Sequence, residues 1–174
     1  ERQMTKVVLS IGSNMGDRMA HLQSVLDGLG AGAVAVSPVY ETDAWGVVEQ
    51  DPFLNAVVIA DDPVLDGYGW LRRAHEFEDA AGRVRERHWG PRTLDLDILL
   101  FGERLIDQPR LQVPHYHMQA RAFVLYPLAE IAPPELVLAD GRRLVDLLAA
   151  CPFRGLERLV NTSVTDAVTN VTRR

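Results

Sequence analysis

Residues 94–101 read LDLDILLF, a run that leaves the chain few ways to fold around it. Its spacing suits a strand, on which side chains two apart share a face, so Asp95 and Asp97 point one way while Leu94, Leu96 and Ile98 point the other. The α-carbons of the two acids are then roughly 6.6 Å apart. Like charges that close oppose each other unless something positive lies between them. The run therefore needs an apolar layer behind it and a cation, or open solvent, in front.

The segments around it set the architecture. Residues 5–11 alternate and are rich in β-branched side chains, which predicts a strand, and GSNMGD follows as a loop in which Ser13 or Asn14 could cap a helix. Leu22, Val25, Leu26 and Leu29 repeat at the spacing of one buried helix face, and glycines at 28, 30 and 32 mark its end. Two apolar stretches, 34–40 and 53–60, read as strands joined by the long loop ETDAWGVVEQDP. Trp70, Leu71, Ala74, Phe77 and Ala81 trace a second amphipathic helix before the acid-bearing strand. The order βαββαβ predicts an α+β fold with a ferredoxin-like core, a mixed or antiparallel sheet and both helices on one face. Residues 109–134 read as turn-rich and aromatic, and 144–149 as a short third helix. One domain is expected over 4–160, with 161–174 a polar, mobile tail.

Composition narrows the partners. A net charge of -6 argues against a protein that grips duplex nucleic acid by neutralising its backbone, yet leaves small phosphorylated ligands open. With one cysteine no intrachain disulfide can form, and no apolar stretch of about 18 residues could cross a bilayer. The expectation is a cytoplasmic protein with neither nucleic-acid nor membrane partners. All but one of the 18 basic residues are arginine, so an isolated one such as Arg18 reads as a solvated surface charge.

Three readings of the acid pair compete. The plainest puts it on the solvent face of an edge strand, and the second pairs it directly with arginines. The third follows from Arg83, Arg85, Arg87 and Arg92, which crowd a glycine-bearing segment just upstream. Four guanidiniums exceed what two carboxylates need, so an additional anion is implied. Magnesium bound through one or two carboxylates plus substrate phosphates, with arginines gripping the phosphate oxygens, accounts for both groups. No P-loop is present to cradle the phosphates.

In chain order from Lys6 to Leu148, the motifs IGSNMGD, FLNAVV, GRVR, WGPRTLDLDILLFG, RLQVPHYHMQARAFVLYPLAEIAP and the Asp140-Gly141 turn resemble the 6-hydroxymethyl-7,8-dihydropterin pyrophosphokinases of folate biosynthesis. The resemblance implies transfer of pyrophosphate from ATP to the pterin hydroxymethyl group, with two magnesium ions and a monomeric enzyme. By the same resemblance Asp95 and Asp97 match the metal-binding pair, and Arg83 and Arg92 match arginines that assist transfer. His75, Glu78, Arg85, Trp89, Arg92, Ile98, Arg110, His115, Tyr116 and Arg121 match the ATP side. Thr42, Asp43, Trp45, Phe53, Asn55 and Phe123 match the pterin side. Judged without the resemblance, Glu78 is a solvated helix residue, His115 a satisfied loop histidine, and Phe53 and Phe123 ordinary core.

The chain departs from the family pattern in ETDAWG, which lacks a proline near position 43, and at His75 and Gln112, where glutamine and threonine are frequent. A palm-like nucleotidyl transferase or cyclase would hang a similar acid pair on the same βαββαβ sheet. A non-catalytic ligand-binding or RNA-binding module is the third alternative, weakened by acids where stacking aromatics and basic residues are expected.

Overall fold

A computed structural model describes residues 6–43, 52–82 and 93–159. The first strand, β1 (Lys6–Ser13), leads into α1 (Arg18–Leu29), then β2 (Ala33–Val36), β3 (Tyr40–Thr42) and β4 (Phe53–Asp61). Helix α2 (Gly67–Ala80) precedes β5 (Asp95–Phe101), the acid-bearing strand. A hairpin of β6 (Ile106–Gln108) and β7 (Leu111–Val113), two helices, α3 (Ala122–Ile131) and α4 (Leu144–Ala150), and β8 (Leu156–Arg158) complete the described chain.

The main sheet runs β5-β1-β4-β3-β8, with β2 also on β4, and every pairing in it is antiparallel. Strands β5, β1, β4 and β3 thus have the ferredoxin-like order, and the choice between mixed and antiparallel resolves to antiparallel. Helices α1 and α2 cover one face, where Ile11, Leu22, Leu26, Leu54, Ala74, Leu94 and Leu96 form one cluster and Leu9, Trp70, Ile98 and Phe101 another. The opposite face is also covered: Val57, Leu99 and Leu100 pack there with Val124, Leu125 and Leu128 of α3 and Leu144 of α4.

Several local readings change. Strand β1 continues through Gly12 and Ser13, and the helix cap is Asp17, whose side chain accepts from the Ala20 backbone N–H at 3.1 Å. The expected strand over 34–40 is two short ones, because Ser37-Pro38 interrupts it. Pro38 has no N–H for a ladder, and Ser37 bridges the gap: its N–H donates to Val57 O, and its Oγ accepts from Val57 N–H, both at 2.9 Å. The turn-rich reading of 109–134 missed α3, whose interior holds Pro127. A proline there removes a helical hydrogen bond, but four buried side chains of α3 face the sheet and offset the loss. The third helix predicted at 144–149 is α4.

Candidate active site

Among the described residues strand β5 lies at the end of the sheet path, paired with β1. Its register places Asp95 opposite Gly12 and Asp97 opposite Ser10, and Gly12 is in turn opposite Asn55 of β4. Asp95, Asp97, Ser10, Gly12 and Asn55 therefore share the face turned toward α3. The alternation ends at a bulge: Val8 pairs with Leu100 and Leu9 with Ile98, so Leu99 is the extra residue. The bulge returns Leu99 and Leu100 to the apolar layer under α3, immediately after the two acids.

A cavity of about 1060 Å³ opens over this face and wraps around the free edge of β5. On the sheet its floor is Ser10, Gly12, Asp95 and Asp97, continuing to Thr42, Asp43, Phe53 and Asn55. Around the edge it reaches Leu96, Ile98, His75 and Glu78, and on the hairpin Arg110 and Gln112. His115, Tyr116, Arg121 and Phe123 form the wall between the two arms. Every candidate residue within the described chain thus borders one space. Arg83, Arg85, Arg87, Trp89, Arg92 and Trp45 lie outside the described residues.

The wall is organised around Asp97. Arg121 Nη1 donates to Asp97 Oδ2 at 3.3 Å, and its guanidinium carbon lies 5.6 Å from the centre of the Phe123 ring. His115 is held by its backbone N–H, which donates to Leu99 O at 2.9 Å, and its Nδ1 accepts from the His117 N–H at 3.1 Å. A neutral ring so held carries its proton on Nε2, which is 3.7 Å from Asp97 Oδ1. At 32% side-chain exposure Asp97 is half-buried, so part of the carboxylate remains open to the cavity.

Glu78 is not a solvated helix residue. It is 1% exposed, and its Oε2 accepts from the Leu96 N–H at 2.9 Å. That amide sits between the two aspartates on the outer side of β5, so among the described residues a carboxylate from α2 supplies the hydrogen bond that a further strand would. At the other arm the buried Asn55 Nδ2 donates to Thr42 Oγ1 at 2.9 Å. Gly12 is a site residue that the sequence reading passed over. A Cβ there would stand 2.8 Å from Asn55 Oδ1 and 3.7 Å from Phe53 Cδ1, so only a bare backbone leaves room for that amide. The run Val8, Ser10, Gly12 of shrinking side chains on one strand face was the available signal.

The C-terminal stretch was also missed. Strand β8 pairs with β3, and Cys151, Pro152, Arg154, Gly155 and Leu156 border the cavity beside Thr42 and Asp43. The Asp43 N–H donates to Gly155 O at 3.3 Å, and Tyr126 Oη donates to Cys151 O at 2.7 Å. Behind this wall Tyr40 donates its hydroxyl to Glu130, which also takes the Arg158 guanidinium at 3.0 Å. Burial first, and then that hydrogen bond and the charge of Glu130, push the Tyr40 phenol above its usual range. Burial likewise raises the Cys151 thiol.

The donor set at Asp95 and Asp97 is two hard oxygen ligands opening on a cavity, with no third His, Cys, Asp or Glu completing a metal cage among the described residues. Such a pair fits magnesium, which dehydrates reluctantly and takes one or two carboxylates plus substrate phosphates. Neither soft-metal nor calcium-type ligand sets match as well.

Known proteins resemble this chain over most of its length. The family model of 7,8-dihydro-6-hydroxymethylpterin-pyrophosphokinase matches residues 8–133. The 2-amino-4-hydroxy-6-hydroxymethyldihydropteridine pyrophosphokinase of Pseudomonas aeruginosa is 53% identical over 158 residues, covering 88% of this chain and 96% of that protein. The protein of the same name from Mycobacterium tuberculosis H37Rv is 51% identical over 157 residues, 84% of each chain. The wild-type HPPK-DHPS crystal structure from Plasmodium falciparum, with pterin and p-hydroxybenzoate, superposes with a TM-score of 0.62 at 15% identity, over 83% of this chain and 41% of that one. At that identity the likeness speaks for the fold alone, and the present chain spans under half of that longer one.

Proposed function

This chain belongs to the 7,8-dihydro-6-hydroxymethylpterin-pyrophosphokinase family, and on that premise we propose how its cavity divides the work. The enzyme transfers pyrophosphate from ATP to the hydroxymethyl group of 6-hydroxymethyl-7,8-dihydropterin, a step of folate biosynthesis. ATP takes the arm around the β5 edge, against His75, Glu78, Ile98, Arg110, His115 and Tyr116. The pterin takes the arm floored by Thr42, Asp43, Phe53 and Asn55, with Phe123 as its second aromatic wall. The observation that carries the division is that both arms meet at Asp95, Asp97 and Arg121.

In the reaction the hydroxymethyl oxygen attacks the β-phosphorus of ATP in line. A new O–P bond forms, the bond between the β-phosphorus and its bridge to the α-phosphate breaks, AMP leaves and the hydroxyl proton is released. Asp95 and Asp97 would hold magnesium, two ions in this reading, which would supply neutralisation of the phosphate oxygens when bound. Arg121 stands where charge accumulates, oriented by Asp97. Arg83 and Arg92 spread charge on the transferring group, while Arg85 and Trp89 serve the nucleotide. Asn55 and Thr42 match the polar edge of the pterin, since a buried heterocycle with unmatched donors or acceptors costs about 1 to 3 kcal/mol for each. The enzyme works as a cytoplasmic monomer; among the described residues no helix is long and apolar enough to cross a membrane.

The test is product identification after incubation with magnesium, ATP and the pterin. AMP and a diphosphorylated pterin are expected, whereas released pyrophosphate would favour the nucleotidyl-transferase alternative. Asp95→Ala and Asp97→Ala should each lower kcat by at least about a hundredfold. Wild-type turnover in both variants would remove the metal assignment.

A further inference from the structure

Arg18 begins α1 on the face of the sheet away from the main cavity floor, where a lone arginine reads as a solvated charge. It is instead doubly engaged: Nη1 donates to Pro52 O at 2.8 Å and to Glu41 Oε2 at 3.3 Å. Both charged side chains are about one-third exposed, 30% for Arg18 and 33% for Glu41. Glu41 belongs to β3 and Pro52 immediately precedes β4, so a single guanidinium joins the two strands where they part. The register there pairs Glu41 with Leu54 and Thr42 with Phe53. Leu54 faces the α1 layer, while Thr42 and Phe53 border the cavity.

We propose that Arg18 is a positioning residue for the pterin, fixing from beneath the sheet the backbone that presents Thr42 and Phe53 to the heterocycle. The inference rests on the pterin arm as assigned above. Arg18 does not itself border the cavity, so its effect passes through the Glu41 and Pro52 backbone rather than through contact. A planar guanidinium suits the task because it serves a carboxylate and a carbonyl together, which a lysine ammonium does less rigidly. Since the clamp holds only the Thr42 and Phe53 end, the ATP arm at the β5 edge should not sense it.

Equilibrium binding of 6-hydroxymethylpterin and of a non-hydrolysable ATP analogue with magnesium, measured separately on the full chain, tests this. Arg18→Ala should weaken pterin binding about tenfold and change ATP-analogue binding by less than about twofold. Arg18→Lys should recover part of the loss, and Glu41→Gln, which keeps an acceptor, should fall between wild type and Arg18→Ala. Unchanged pterin affinity in Arg18→Ala, or an equal loss for both ligands, would overturn the proposal while leaving the site assignment standing. Absence of pterin binding in the wild-type chain would instead sink the assignment and this inference with it.

Discussion

A methyl group added at position 12 would meet Asn55 Oδ1 at 2.8 Å, and the amide can yield only by leaving Thr42 Oγ1. Gly12→Ala should therefore weaken pterin binding by about tenfold, read by titration, and leave ATP-analogue affinity near wild type. Glu78 makes a second local prediction. Removing its carboxylate in Glu78→Ala strands the Leu96 N–H on the sheet edge and should cost about 1 to 3 kcal/mol in denaturant unfolding, while Glu78→Gln, which keeps an acceptor, should recover much of it. Tyr40 adds a dependence on pH. Its phenol is held protonated in the folded state, so its contribution is complete below the unfolded value of about 10 and drains away as pH rises past that toward the folded value. Thermal melts above pH 10 should show a shallower alkaline loss in Tyr40→Phe than in wild type. Asp95 and Asp97 were legible from the sequence because two charges in an apolar strand demand an explanation wherever the strand lies. Glu78 entered only through the family resemblance, and Gly12 and Arg18 were not singled out for the site at all. What decides each is a partner from another element, Leu96, Asn55 or the pair Glu41 and Pro52, which periodicity along one segment does not name, although the shrinking side chains at Val8, Ser10 and Gly12 hint at a close approach.

Among the elements, α1 and α2 were readable because their apolar side chains repeat at helical spacing, whereas their caps, Asp17 and Asp66, were not read; Asp66 accepts from the Gly69 N–H at 2.7 Å. Helix α3 escaped because local propensity at Pro127 opposes helix, and its formation depends on the apolar layer of Leu99, Leu100 and Val57 that it covers. The β2–β3 break escaped because Ser37 replaces ladder bonds with its own hydroxyl. Strand β8 has only three residues, LER, and no alternation to mark it. Yet it completes the wall beside Thr42, anchored by Arg158 on Glu130 and by Phe153, whose ring meets Tyr126 and Tyr40 edge-on at 5.0 and 6.3 Å. Truncation after Ala150 should thus lower the melting temperature, by about 2 to 4 °C for each kcal/mol lost in a domain of this size, and weaken pterin binding more than ATP binding. Equal effects on the two ligands would show the strap to be general scaffolding.

For the molecule as a whole, the cavity is bounded by pieces drawn from nearly the entire described chain, from Ser10 to Leu156, so occupancy ties distant segments together. Saturating both arms should stabilise the fold well beyond either ligand alone, each contributing about 2.7 kcal/mol at a hundred times its Kd, as read by thermal shift. The net charge of -6 is compatible with binding a polyanion because Arg110 and Arg121 both border that space. The antiparallel sheet has one further property at this scale. Strand β5 ends the hydrogen-bonded path, and such a border is where a strand of another molecule can add itself and start a growing stack. Glu78 occupies the Leu96 slot with a buried carboxylate from the neighbouring helix, so among the described residues the contact that steadies the backbone between the two acids also fills one of the rungs a docking strand would use.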